Sequence, residues 1–289
     1  SARGLESAVT FAVLRTSEPS DSATSGSSTT LCSAKSARAG LFKRRVESPP
    51  MASSIRIAGA EGWMGSAMLP RRSTARPSRM AAVSGRGTEG EAGLTAFLVP
   101  LDRPGVTREP VADLLGLRTA GAARLQFQEV ALDDGDRLGP IGGAAQALEP
   151  ALEMARLGTA AVALGVARSA LREGGRYSRD RQQFGKPISA FQPIQWMIAD
   201  SAVDLEAARV LLDRAAWALA TGKRAPVAVA MAKSRACKAA IRCADRAIQI
   251  HGGYGFTTDF PVERAYRDAA VLELLHGSGI WQRARIAKA

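Results

Sequence analysis

Residues Tyr177-Ser-Arg-Asp-Arg-Gln-Gln-Phe-Gly-Lys-Pro-Ile188 decide the architecture, because they mark a corner where one long helix ends and another begins. Before the corner, Leu148, Leu152, Leu157, Ala161, Leu164 and Leu171 fall along one side of a helix predicted over residues 147–177. The Gly-Lys-Pro turn stops that helix, since proline lacks an N–H and glycine tolerates the left-handed turn. A second helix is predicted from about Ser189, with Ile194, Ile198, Leu205, Leu212 and Leu219 at near-multiples of its turn. Thr221-Gly-Lys ends it, and Pro226 opens a third that runs to about His251. Gly252-Gly-Tyr-Gly255 breaks the chain. Asp259 is expected to cap a fourth helix, with Pro261 in its first turn and Gly277 and Gly279 interrupting it. Four long amphipathic helices with short connections imply a four-helix bundle over residues 144–289.

Upstream of the bundle the period changes from helix to strand. Gly93-Leu-Thr-Ala-Phe-Leu-Val-Pro100 and Leu125-Gln-Phe-Gln-Glu-Val-Ala-Leu132 each read as one strand, Asp133-Asp-Gly-Asp136 as a turn and Gly139-Pro-Ile-Gly-Gly143 as a loop. Residues 89–143 are therefore assigned to part of a β domain. Residues 1–88 differ again. They contain 17 serines, and runs such as Ser20–Thr30 and Pro70–Gly87 follow neither strand nor helix period. The segment is expected to be irregular or disordered, or a damaged part of the β domain read out of its native frame. The fold class is thus mainly α: a C-terminal four-helix bundle preceded by a partial β domain, with an irregular N-terminal segment.

The 289-residue chain carries a net charge of +12, which suggests nucleic acid until its distribution is considered. Residues 1–88 hold 13 of the 39 Lys and Arg but 5 of the 27 Asp and Glu, so most of the excess sits outside any folded face. Aromatic residues there are scattered, and no nucleic-acid partner is expected. No apolar run is long enough to span a membrane. Cys32, Cys237 and Cys243 form neither a metal motif nor a disulfide framework, which points to a reducing cytoplasm and no metal site. Gly85-Arg-Gly-Thr-Glu-Gly90 matches a dinucleotide fingerprint but neither follows a strand nor opens a helix, so it is set aside as chance.

Three clusters carry chemistry. At the corner, Arg181 can grip a pyrophosphate through two parallel bonds, although an isolated basic helix end is more often simply solvated. Gln249-Ile-His-Gly-Gly-Tyr-Gly255 lets backbone approach a ligand, or is only a turn between helices. Val262-Glu-Arg-Ala-Tyr-Arg-Asp268 leads into Leu274-Leu-His-Gly-Ser278; its Glu263 and Arg267 are spaced as an ordinary surface pair. In this order and at these spacings, the three clusters resemble the C-terminal bundle of acyl-CoA dehydrogenases. The likeness covers about 200 residues, from the strand at Gly93 to the end of the chain.

The resemblance implies an FAD-dependent oxidoreductase of fatty acid metabolism that acts on the CH–CH group of an acyl-CoA. It implies a homo-oligomer with FAD between subunits, and electron-transfer flavoprotein or another acceptor as electron partner. It assigns Arg181, Phe184, Phe191, Gln192, Gln249, Gly252, Gly253 and Ser278 to the cofactor, and Arg156 and Gly277 to the acyl-CoA. The family removes an α-proton with a glutamate while a β-hydride leaves to flavin. The position of that glutamate is His276 here, and the alternative position used by a minority of the family is Ala155. Glu153 and Glu273 are near in sequence, but helix phase directs them away. His276 admits three roles: a substitute base, a mark of a flavin-dependent monooxygenase of the same fold, or a lost site in a non-catalytic or truncated member. The family's N-terminal helical domain is not seen in the sequence. Thr16-Ser-Glu-Pro19 and Trp63-Met64 only faintly echo its middle-domain flavin motifs.

Overall fold

The computed structural model of the chain describes residues 94–289, apart from 112 and 121, together with five short strands before them. Those five are β1 (Phe11–Val13), β2 (Arg15–Thr16), β3 (Ile55–Ile57), β4 (Ala60–Glu61) and β5 (Arg79–Ser84). The fingerprint at Gly85–Gly90, Ser17 to Pro19 of the faint flavin motif, Trp63-Met64 and Cys32 lie outside the described residues. Next come β6 (Thr95–Pro100), β7 (Val106–Pro110), β8 (Ala123–Phe127), β9 (Val130–Leu132) and β10 (Arg137–Leu138).

Two sheets of four strands form, in the orders β1-β5-β6-β10 and β2-β4-β8-β7, while β3 pairs with β9. β5 lies within the aperiodic run Pro70–Gly87, yet it pairs with β6 along its whole length, from Arg79 opposite Pro100 to Ser84 opposite Thr95. Strand formation there follows the partner rather than local pattern. The strand expected over Leu125–Leu132 is divided in two. Glu129 takes a left-handed φ of 50°, and the chain leaves the β7–β8 ladder to pair with β3. Phe97, Val99, Leu125, Phe127, Val130 and Leu132 form the core between these strands; each fully buried side chain contributes about 1.5–3 kcal/mol.

The helices are α1 (Ala144–Asp180), α2 (Gln192–Ala220), α3 (Pro226–His251), α4 (Val262–Leu274) and α5 (Gly279–Ala287). α3 packs against the other four. α1 starts one turn earlier than predicted. The helix begins at Ala144, whose N–H donates to Leu94 O at 2.9 Å, and takes Pro150 inside it. Asp259 does not cap α4: Pro261 occupies that position, and the Asp259 carboxylate accepts from the Thr257 hydroxyl at 3.1 Å. The bundle core is lined by small residues, among them Ala160, Ala163, Ala167, Ala236, Ala240 and Ala244. Two bonds tie the loop after β7 to α4: Leu117 N donates to Asp268 Oδ1 at 2.6 Å, and Arg267 Nη1 to Leu115 O at 2.6 Å.

Candidate active site

Two of the expected clusters meet. The end of α1 and the end of α3 enclose a pocket of about 480 Å³, lined by Arg181, Gln249, Gly252 and Gly253 together with Tyr177 and His251. Its size falls within the ordinary range for small-molecule sites. Arg181 makes no ion pair among the described residues, so its guanidinium is available to an anion. Tyr177 and His251, which sequence reasoning did not single out, form its inner wall. Their rings stack with centroids 4.1 Å apart, and His251 Nδ1 lies 2.7 Å from Ala247 O. Burial lowers the His251 pKa below its usual value, which keeps the ring neutral.

Phe184, Phe191 and Gln192 lie beside this pocket and not in its wall. A tight hairpin explains where Phe184 goes. β11 (Gln182–Gln183) and β12 (Lys186–Pro187) pair across the two-residue loop Phe184-Gly185, both with positive φ, 53° and 76°. That is the turn in which both central residues are left-handed, which glycine accepts and phenylalanine resists. The strained Phe184 is 92 % exposed, with Phe191 edge-on at 6.2 Å. Gln192 is the exposed first residue of α2.

The third cluster forms a separate, clamped loop between α4 and α5. His276 has a left-handed φ of 54° and Gly277 a φ of 104°. Three long side chains hold the loop by its carbonyls. Arg156 Nε donates to His276 O at 3.2 Å, while Lys233 Nζ donates to Gly277 O at 2.7 Å and Glu273 O at 3.3 Å. Gln282 Nε2 adds a bond to Gly277 O at 3.0 Å. Arg156 is buried behind the loop, paired with Glu149 at 2.8 Å and stacked 4.4 Å over the Trp281 ring. Ser278 is the N-cap residue of α5. Glu153 and Glu273 are both turned inward, each leaving one oxygen without a hydrogen-bond partner, and neither bonds the His276 ring. Burial lowers the His276 pKa, and the Lys233 and Arg156 cations lower it further.

Lys233 and His251 stand at opposite parts of α3, separated by about 27 Å along its axis. The pocket and the loop are therefore two sites on one chain. Arg181, which has no ion pair among the described residues, and the Gln249–Gly253 turn are groups that could hold an anionic nucleotide such as that of FAD.

The sequence profile of "Acyl-CoA dehydrogenase, C-terminal domain" matches residues 142–289, which take in the pocket and the loop together. The chain belongs to the acyl-CoA dehydrogenase family. It is 36% identical over 233 residues to probable acyl-CoA dehydrogenase YngJ of Bacillus subtilis, covering 80% of this chain and 60% of that protein. With the mitochondrial short-chain specific acyl-CoA dehydrogenase of Rattus norvegicus it shares 40% identity over 195 residues, 68% of this chain and 47% of the rat protein. The butyryl-CoA dehydrogenase structure from Megasphaera elsdenii superposes with a TM-score of 0.69 at 35% identity, covering 73% of this chain and 55% of that one. The chain thus spans about half to three fifths of the length of these acyl-CoA dehydrogenases.

Proposed function

We propose that this chain is an FAD-dependent acyl-CoA dehydrogenase that oxidises the α,β bond of an acyl-CoA thioester, with His276 in the place of the base. The observation that carries this proposal is the clamped His276 loop in a chain whose Arg181, with no ion pair among the described residues, lines a pocket of about 480 Å³. FAD, when bound, supplies the hydride acceptor. The chain's own residues do the rest. Arg181 would hold the pyrophosphate and the Gln249–Gly253 turn the rest of the nucleotide, while Arg156, Lys233 and Gln282 fix the backbone of the His276 loop.

Distance supports an oligomer. Lys233, which holds the loop, and His251, in the pocket wall, lie about 27 Å apart along α3. One chain's Arg181 and the same chain's His276 would then serve different cofactors, as in a homo-oligomer with FAD between subunits. Electron-transfer flavoprotein or a similar acceptor would take the electrons. The described cysteines, Cys237 and Cys243, are buried free thiols that suit a reducing cytoplasm. Among the described residues no helix is long and apolar enough to cross a membrane.

The test is the absorption spectrum of the purified full chain, followed by anaerobic addition of short and medium acyl-CoAs. A yellow protein that bleaches with an acyl-CoA is expected, and Arg181→Gln should lose most of its flavin on gel filtration. A colourless protein after reconstitution with FAD overturns the proposal. A yellow protein that bleaches with no acyl-CoA but consumes oxygen once reduced points to the monooxygenase instead.

A further inference from the structure

Thr159, on α1, touches the His276 ring, and its hydrogen bonds determine which ring nitrogen carries the proton. The hydroxyl oxygen lies 2.9 Å from Ala155 O and 2.8 Å from His276 Nδ1. A threonine hydroxyl has one hydrogen. Ala155 O is an acceptor only, and two oxygens 2.9 Å apart with no hydrogen between them repel. The hydrogen therefore belongs on the bond to Ala155 O, and only lone pairs are left to face the imidazole. Nδ1 must be the donor. In a neutral imidazole the lone pair then sits on Nε2, which has no hydrogen-bond partner among the described residues.

We infer that Thr159 is a positioning residue that holds His276 as its Nδ1–H tautomer and presents Nε2 as the proton acceptor of the site. The relay runs His276 Nδ1–H to Thr159 Oγ1–H to Ala155 O, each donor polarising the next. Other features of the loop agree. The left-handed backbone of His276 is a cost that a free surface histidine would not bear. The loop's carbonyls are held by Arg156, Lys233 and Gln282, so ring and backbone are fixed together. The charged groups acting on the ring are Arg156 from α1 and Lys233 from α3, both cations that favour the neutral imidazole. Of their acidic neighbours, Glu149 pairs with Arg156 at 2.8 Å and the Glu273 carboxylate acts on Lys233 only through space; neither bonds the ring.

The chemistry rests on the dehydrogenase proposed above. The Cα–H bond of the thioester breaks and its proton passes to Nε2. With FAD bound as the oxidant, the electron pair of the Cα–H bond would become the Cα=Cβ bond while the β-hydrogen left with its own pair as hydride to the flavin. The imidazolium keeps its Nδ1–H on Thr159, so the charge that develops has an acceptor already in place.

The chain has two histidines, so the tautomer can be read directly. Full-length protein carrying isotope-labelled histidine is measured by long-range proton–nitrogen correlation above the imidazole's ordinary titration range, and His276→Asn identifies the His276 signals. Expected are a protonated Nδ1 and a bare Nε2, retained in Thr159→Ser and shifted toward a protonated Nε2 in Thr159→Val. A protonated Nε2 in the unsubstituted chain overturns the inference, as does a Thr159→Val protein whose Nδ1 stays protonated. In turnover, Thr159→Val should lower kcat by about tenfold or more with KM nearly unchanged, and Thr159→Ser should recover most of the loss. The two proposals fail separately. A chain with the Nδ1–H tautomer and no acyl-CoA oxidation keeps the Thr159 device and loses the dehydrogenase; an active dehydrogenase with Nε2 protonated does the reverse.

Discussion

At the scale of single residues, Gly277 and His276 define the loop. Gly277 is required on two counts: its φ of 104° suits only glycine, and an added Cβ would lie 2.8 Å from Trp281 Cε3. Gly277→Ala should destabilise the chain by about 1–3 kcal/mol, read as a lowered denaturation midpoint with an unchanged slope. The pH dependence follows from His276. Its folded pKa is held below the ordinary 6.5, first by burial and then by Lys233 and Arg156. The neutral form needed for proton uptake therefore predominates at pH 6.5 and above, and the fall of kcat with acidity should be centred below that value. The same shift sets a stability trend. The unfolded histidine takes up its proton before the folded one does, so stability is present above pH 6.5 and is lost as pH falls through the lower folded pKa. A kcat that already declines above pH 7 would remove His276 from the proton transfer. The sequence offered no sign of Thr159 or Lys233 at this loop, because both reach it from 117 and 44 residues away by packing alone. His276 itself stood out only through the neighbouring motifs.

Among the elements, helix boundaries were the most legible and the packed faces the least. Pro226 and the Gly252-Gly253 break bound α3 where the sequence reading placed them, because a proline first turn and a glycine stop are local signals. The buried side of α1 was read from its leucines, yet Ala160, Ala163, Ala167 and Ala170 face α3, while Ala161 is exposed. Alanine is ambiguous in a hydrophobic period, and only close approach of two helices selects it for the interior. Ala240, fully buried on α3, tests that seam. Ala240→Leu should cost about 1–3 kcal/mol by overpacking, measured by equilibrium unfolding; a neutral result would mean the helices separate freely. α2 joins α3 by a different device. Asp204 is buried on α2 and receives Arg235 at 2.8 Å, Arg246 at 3.0 Å and Arg242 at 3.3 Å, a cluster that the apolar period of α2 could not reveal.

For the whole molecule, the outer face of α2 bears on the proposed oligomer. Trp196, Val203, Val210 and Trp217 are each more than half exposed, and they recur every seven residues, so they form one line along the helix. Large apolar side chains aligned in this way mark a surface that expects a partner. Their order reads the same in both directions. If a second copy packs α2 antiparallel about a two-fold axis midway between Val203 and Val210, Trp196 meets the partner's Trp217 and Val203 meets the partner's Val210. Self-complementarity of this kind is what a two-fold interface requires. The charged neighbours do not oppose it, since Arg209 is already paired with Glu206 and with Asp213 at 3.0 Å on its own helix. Val203→Glu combined with Val210→Glu would set like charges against each other across that axis. The double variant should keep its helical content, because neither residue is buried in the bundle, and its mass by sedimentation should fall to half that of the unsubstituted chain or less. An unchanged mass would move the interface elsewhere, and a monomeric unsubstituted chain would remove the oligomer on which the shared cofactor depends.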